Sequence, residues 1–156
     1  MLAKNKSGWG LLEYLPIKEE EIESYNNVTG AFAIICIQGK YLIGYNRYRK
    51  QWEFPAGGIE SGETPRQAAE RELWEETHQR NNELEFRGLC KIQRPDGEIR
   101  YQAIFRGSLE ELHPFIGTDA DEMERIMLWD LKEDIGDVIY RRHSEGDGID
   151  NELSSL

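Results

Sequence analysis

The sequence predicts an α/β/α sandwich built on a mixed β-sheet. Three observations carry that prediction. Strand-like apolar runs lie on both sides of one strongly signalled central helix. Residues 31–37, AFAIICI, are apolar without interruption, as in a strand covered on both faces. A second helical pattern, LKEDIGDVIYRRH, follows near the end and supplies the other layer. A chain of 156 residues is long enough to bury a core of its own without metal or disulfide staples.

Taken in order, residues 1–26 are mixed, and the acidic run Glu19, Glu20, Glu21 reads as a solvated face. GAFAIICIQGKYLIGYN reads as two strands joined at Gln38-Gly39. RYRKQWEF then leads through Pro55 to the pair Gly57-Gly58. Thr64-Pro65-Arg66-Gln67 has the marks of a helix start: a capping hydroxyl, proline in the first turn, and glutamine closing a capping box. Strong helix formers follow, so the helix should run from Pro65 to Thr77 or slightly beyond. LEFRGLCKIQR and EIRYQAIFR flank the turn Pro95-Asp96-Gly97, and Ile99, Tyr101, Ala103 and Phe105 alternate onto one face. ERIMLWDL is a last short strand, and Gly136 weakens the helix expected after it. From Ser144 onward apolar anchors are few, so the expectation is one domain, 1–143, and a flexible acidic tail, 144–156.

The net charge of −11 argues against an extended nucleic-acid or anionic-membrane surface. It is compatible with a phosphorylated ligand screened by a cation. Cys36 and Cys90 lie in apolar stretches and read as buried free thiols of a reducing compartment. The N-terminal stretch lacks an adequate apolar signal segment, and no run approaches the roughly 18 apolar residues of a membrane span. The expectation is therefore a soluble, cytoplasmic protein.

GGIESGETPRQAAERELWEETH, residues 57–78, holds six carboxylates in twenty-two residues. At about 100° per residue, Glu72, Glu75 and Glu76 share one arc of roughly 100°, with Ala68 inside it and Pro65 beside it. Glu76 adjoins the apolar Ala69–Leu73 stripe and should be partly buried. Like charges at Glu72 and Glu76, four apart, cost an exposed helix a few tenths of a kcal/mol. Only Glu75 has a clear partner, Arg71, one turn back. On these residues alone two readings stay open: a solvated acidic face, or an oxygen-only cation site suited to Mg²⁺, Mn²⁺ or Ca²⁺.

The spacing of Gly57, five residues, Glu63, seven residues, then Arg71-Glu72-Leu73-Trp74-Glu75-Glu76 resembles the Nudix box of the Nudix hydrolases, the MutT-like pyrophosphohydrolases. The resemblance rests on about 23 of the 156 residues, with agreement in the flanking EFPAGG, the downstream hairpin and the late tryptophan-ending strand. It implies a Nudix-type α/β/α sandwich with a mixed central sheet. It further implies that Glu72, Glu75 and Glu76, with the backbone carbonyl of Ala56, hold Mg²⁺ or Mn²⁺. Arg71 would orient the acids, Gly57 and Gly58 would let the loop approach helix and phosphates, and Glu63 would brace the loop. Two positions depart from the family pattern. His78 and Gln79 stand where glycine and an aliphatic residue are usual, which predicts an altered or extended helix end through Asn81-Asn82.

The implied activity is attack of water on one phosphorus of a diphosphate linkage in a nucleoside diphosphate derivative. The candidates are a nucleoside triphosphate, an oxidised nucleotide or an ADP-ribose-like molecule. A carboxylate must take the proton. Among Asp119, Asp121 and Glu122 in the loop before the last strand, Glu122 is favoured, with Glu75 or Glu76 of the helix as the alternative. Arg47, Arg49 and Lys50 could meet the phosphate tail, and Tyr48 or Trp52 could stack on a base. A proline near Pro95 accompanies ADP-ribose pyrophosphatases in the family, but here it belongs to an ordinary turn. Capped RNA ends are compatible with the family, although the charge disfavours extended RNA contact. A homodimer is compatible with the sequence. The alternatives from other classes are a Nudix-fold nucleotide sensor that binds without cleaving, and a cation-binding or interaction domain with no phosphate ligand.

Overall fold

A computed structural model of the chain describes residues 3, 4 and 8–135. Nine strands form one mixed sheet with a single α-helix, α1 (Pro65–Thr77), among the described residues. The strands are β1 (Ala3–Lys4), β2 (Gly10–Leu15), β3 (Val28–Ile37), β4 (Lys40–Asn46), β5 (Gln51–Glu53), β6 (Ala56–Gly58), β7 (Glu85–Gln93), β8 (Ile99–Leu109) and β9 (Met123–Trp129). They lie in the order β1-β2-β7-β8-β3-β4-β5, with β6 added to β3 and β9 to β4.

β3 organises the molecule. Its apolar run alternates between two cores: Phe32 and Ile34 enter one, and Ala31, Ala33 and Ile35 the other. The second core lies under α1, where Ala31 and Ala33 share it with the helix residues Ala68, Ala69 and Leu73, all fully buried. Small residues in both elements let the helix sit close to the sheet. β3 pairs in parallel with β8 along its length, from Val28↔Tyr101 to Ile37↔Leu109. On its other edge it is shared. β4 pairs only at Cys36 and Ile37, and β6 pairs at Gly30, Ala31 and Phe32. The divergence of β4 from β3 opens the place that the 55–58 segment fills, and that segment carries the site.

The expected turns form. Gln38 and Gly39 both take positive φ, 52° and 78°, as a two-residue hairpin turn demands. Arg94 and Gly97 close the turn between β7 and β8 through bonds to Glu98 O and Arg94 O. The β8 strand departs from the one-sided pattern expected of it. Ala103 and Phe105 pack under the helix, but Ile104 is equally buried in the opposite core. The Glu19–Glu21 run is not a bare solvated face either. It opens a 3₁₀ helix, Glu19–Ser24, and Glu19 pairs with Arg66 of α1 at 2.7 Å.

The helix begins as the sequence predicts, with Thr64 Oγ1 accepting from Gln67 N (3.1 Å) and Gln67 Oε1 accepting from Thr64 N (2.9 Å). Its bounds, Pro65–Thr77, are those the helix formers predict, and the extension through Asn81-Asn82 offered for the His78-Gln79 departure does not form. α1 stops at Thr77, and His78 takes the left-handed conformation at φ 60°, ψ 28°. Histidine does there what glycine does more cheaply. Of the helix expected over 131–143, residues 131–135 are not helical, and the rest of it, like the expected tail 144–156, lies outside the described residues. No described helix is long and apolar enough to cross a membrane.

Candidate active site

Arg71 is the hub of the acidic face. Its Nε and Nη2 donate to the two carboxylate oxygens of Glu63 at 2.8 and 3.0 Å, a two-pronged pair. Nη2 also reaches Gly58 O (2.8 Å), while Nη1 donates to Glu72 Oε1 (2.6 Å) and Glu75 Oε2 (3.2 Å). Glu63 in turn accepts from Glu60 N (3.0 Å). These bonds hold the Glu63 carboxyl down at about 2, the Arg71 guanidinium contributing most. Arg71 thereby stitches the 58–63 loop to the helix and sets the rotamer of Glu72.

Gly57 leaves room for Glu72 to sit against the loop. A Cβ there would lie 2.2 Å from the Glu72 carboxylate, well inside any contact distance. Gly58 has no such neighbour; its role lies in its carbonyl, which Arg71 holds. Next to them, Ala56 N–H donates to Glu76 Oε1 at 3.0 Å. Pro55 O bonds Ala33 N and Gly57 pairs with Ala31, so the intervening Ala56 turns its N–H and C=O away from β3. Its carbonyl therefore faces the side of the acids.

Glu76 is short of positive charge, and Glu72 has only a share of Arg71. Burial lifts the Glu72 carboxyl above its usual range, against the pull of Arg71. Burial also lifts Glu76 well above that range, and the nearby charges of Glu72, Glu122 and Glu53 add to it. Glu76 is only 5% exposed. Glu75 is over half exposed and answers to Arg71 alone among these contacts.

Across the site, Glu122 Oε1 accepts from Asn46 Nδ2 (2.7 Å) and Arg49 Nη2 (2.9 Å). Arg49 is also locked onto buried Glu53 at 2.6 and 2.9 Å, and its charge is held firmly by that carboxylate. Arg47 spends its guanidinium on the carbonyls of Asp121 (2.9 Å) and Thr118 (3.2 Å). Thus the structure brings together Ala56, Gly57, Gly58, Arg71, Glu72, Glu75 and Glu76, and places Glu122 near enough to act on the charge of Glu72 and Glu76. Arg47 and Arg49 face loop carbonyls and carboxylates. Of the other loop acids, Asp121 binds Thr118 N (2.6 Å), whereas Asp119 is exposed.

Sequence reasoning passed over Asn46 and Glu53, both buried, and marked Gln79, also buried, only as a departure from the family pattern. Asn46 Oδ1 accepts from Tyr48 N and Arg49 N, both at 2.9 Å, while its amide holds Glu53 and Glu122. The signal was there: an asparagine closing an apolar strand ahead of a tight turn is a turn-former by its side chain.

A cation fits this site by chemistry and charge. The donors are all oxygen, and the Ala56 carbonyl is turned their way. Glu76 is buried with no cationic partner in hydrogen-bond reach among the described residues, and Glu72 is half-buried and shares Arg71 with Glu63 and Glu75. No ready-made cluster of three metal-ligating side chains exists among the described residues. Arg71 Nη1 bridges Glu72 and Glu75 instead.

The model of the NUDIX domain family matches residues 27–145. An RNA pyrophosphohydrolase of Francisella tularensis subsp. mediasiatica is 31% identical over 112 residues, which span 64% of this chain and 72% of that protein. Among solved structures, a mutant of the Bacillus subtilis pyrophosphohydrolase BsRppH matches with a TM-score of 0.70 at 19% identity, over 97% of this chain and 94% of that one. A NUDIX hydrolase from Nitrosomonas europaea matches at 0.58 and 24% identity, over 68% and 74% of the two chains. These structural likenesses bear on the fold. The family match covers most of the chain, and its signature residues converge at the site just described; the chain belongs to the NUDIX family and is a Nudix hydrolase.

Proposed function

We propose that the protein is a Mg²⁺-dependent pyrophosphohydrolase of nucleoside 5′-polyphosphates, with Mn²⁺ able to serve. Likeness to RNA pyrophosphohydrolases favours the 5′-triphosphate end of an RNA as its substrate. The observation that carries the reading is the packing of Gly57 against Glu72. A missing side chain there lets one helix carboxylate sit against the 56–58 backbone while Glu76 bonds Ala56 from below. One half-buried and one buried acid are thereby held on one side of a loop that also faces solvent.

Glu72, Glu75, Glu76 and the Ala56 carbonyl would hold the cation. When bound, it would neutralise the phosphate charge and lower the pKa of the attacking water. Arg71 keeps Glu72 pointed at the loop and screens its charge from Glu75. Glu122, held by Asn46 and Arg49, takes the proton from water as its oxygen bonds to phosphorus. The bridging P–O bond breaks, and the departing phosphate carries its electrons. The free thiols of Cys36 and Cys90 support a reducing compartment such as the cytoplasm.

The test is a panel assayed with Mg²⁺: a 5′-triphosphorylated dinucleotide, nucleoside triphosphates, oxidised nucleotides and ADP-ribose, with products identified. Pyrophosphate or orthophosphate released from the dinucleotide end supports the reading. Glu75→Gln should lower kcat at least about a hundredfold in a folded protein. No turnover of any member by the wild-type protein, with ADP-ribose bound, would replace it with a nucleotide sensor.

A further inference from the structure

Residues 110–122, between β8 and β9, form a long connection with no helix or strand of its own. Loops of that length inside a compact domain are commonly functional and need outside anchors. Here the anchors come from two places. At its foot, Arg47 donates from its backbone to Glu122 O (2.9 Å) and from its side chain to Asp121 O and Thr118 O.

At its head, the anchors are His78 and Gln79. The amide of Gln79, wholly buried, pairs in both directions with one residue of the loop. Its Nε2 donates to His113 O at 2.8 Å, and its Oε1 accepts from His113 N at 2.9 Å. A second bond from Nε2 to Thr77 O (2.9 Å) fixes the amide to the helix end. The left-handed turn at His78 sends its ring between Trp74 and Phe115, with centroids 5.3 and 4.7 Å away. Phe115 itself folds against Gly117, where a Cβ would meet the ring at 2.7 Å. The loop is thus gripped by the last turn of the same helix that bears the acids.

We infer that His78 and Gln79 are positioning residues for turnover: they dock the 110–122 loop on the end of α1 and, together with Asn46, Arg47 and Arg49 at its foot, set the place of Glu122 opposite Glu72 and Glu76. The inference rests on the reading of Glu122 as the proton acceptor. It also accounts for a costly choice at position 78. A histidine is tolerated in a left-handed conformation because its ring is the loop's seat.

His78→Gly separates the two roles of this residue. Glycine takes the same backbone conformation without strain, which offsets the lost ring contacts, so the variant should melt close to the wild type. Losing the ring should nevertheless reduce kcat about tenfold on a 5′-triphosphorylated dinucleotide, with KM changed less than about twofold. Hydrogen exchange of residues 113–122 should quicken. Gln79→Leu, which keeps the volume but leaves both His113 groups unpaired, should do the same. In a Glu122→Gln background, where turnover is already low, His78→Gly should cost nothing more. A His78→Gly protein with wild-type kcat, or a loss that multiplies with Glu122→Gln, overturns the inference while leaving Glu122 in its role. Wild-type turnover by Glu122→Gln alone removes that role, and the inference falls with it.

Discussion

The residue that most exposes the conflict between folding and function is Glu76. Its carboxylate is buried, accepts one backbone bond, and is raised in pKa because burial penalises its charge. Without a cation it destabilises the native state at neutral pH. Glu76→Gln keeps an oxygen for Ala56 N–H and removes the charge. The metal-free variant should therefore be about 1 kcal/mol more stable than the wild type. Mg²⁺ at a hundred times its Kd should raise wild-type stability by about 2.7 kcal/mol and leave the variant unmoved. Chelator-treated and Mg²⁺-loaded melts of both proteins check this; a less stable metal-free variant would disprove it. Glu63 has the opposite sign. Its folded pKa, about 2, lies below the ordinary carboxylate range of about 4.3. Its contribution is complete above the unfolded value and fades as pH falls toward 2. The gap in urea midpoint between wild type and Glu63→Gln should thus be widest near pH 6 and close steadily through pH 4 and 3. A gap independent of pH would mean that the Arg71 pair is not its source.

At the scale of elements, legibility followed whether the cause was local. The start of α1 was readable because Thr64, Pro65 and Gln67 act within one turn. So was the Gln38-Gly39 hairpin, where backbone conformation is decided by two residues. The stop of α1 near Thr77 was readable, but the left-handed His78 after it was not, because its ring packs on Phe115, thirty-seven residues later. The face of β8 was half legible: alternation marks one buried side, but burial of Ile104 depends on what the sheet meets across it. The acids were legible as a set by spacing, whereas Asn46 and Glu53 were hidden because their role is set by the pairing of β4 with β5 and β9. The 56–58 segment makes a prediction of its own kind. It works by proximity to the helix, so Gly57→Ala should force Glu72 aside. Turnover should fall about a hundredfold or more. Wild-type kinetics in a correctly folded Gly57→Ala protein would show that Glu72 needs no such approach.

For the whole molecule, charge decides how much of a substrate is held. Binding to a nucleic-acid backbone grows with the number of phosphates neutralised, and it weakens steeply with salt for the same reason. A chain with a net charge of −11 offers little for that purpose. Its arginines are largely spent internally: Arg71 on Glu63, Arg49 on Glu53 and Glu122, Arg66 on Glu19, and Arg47 on loop carbonyls. An RNA substrate would then be gripped at its 5′ end, by the cation and the groups around it, while the remaining nucleotides are repelled or left in solvent. Lengthening a 5′-triphosphorylated oligonucleotide from two residues to about twenty should change kcat/KM by no more than about threefold, against the orders of magnitude gained where many phosphates are bound. Raising monovalent salt from about 50 to 200 mM should cost similarly little, since few counterions are released. Steady-state kinetics on a length series at fixed Mg²⁺ reads both effects. A rate that climbs with each added nucleotide would place a basic RNA track on this molecule and show that its acidity does not confine contact to the 5′ end.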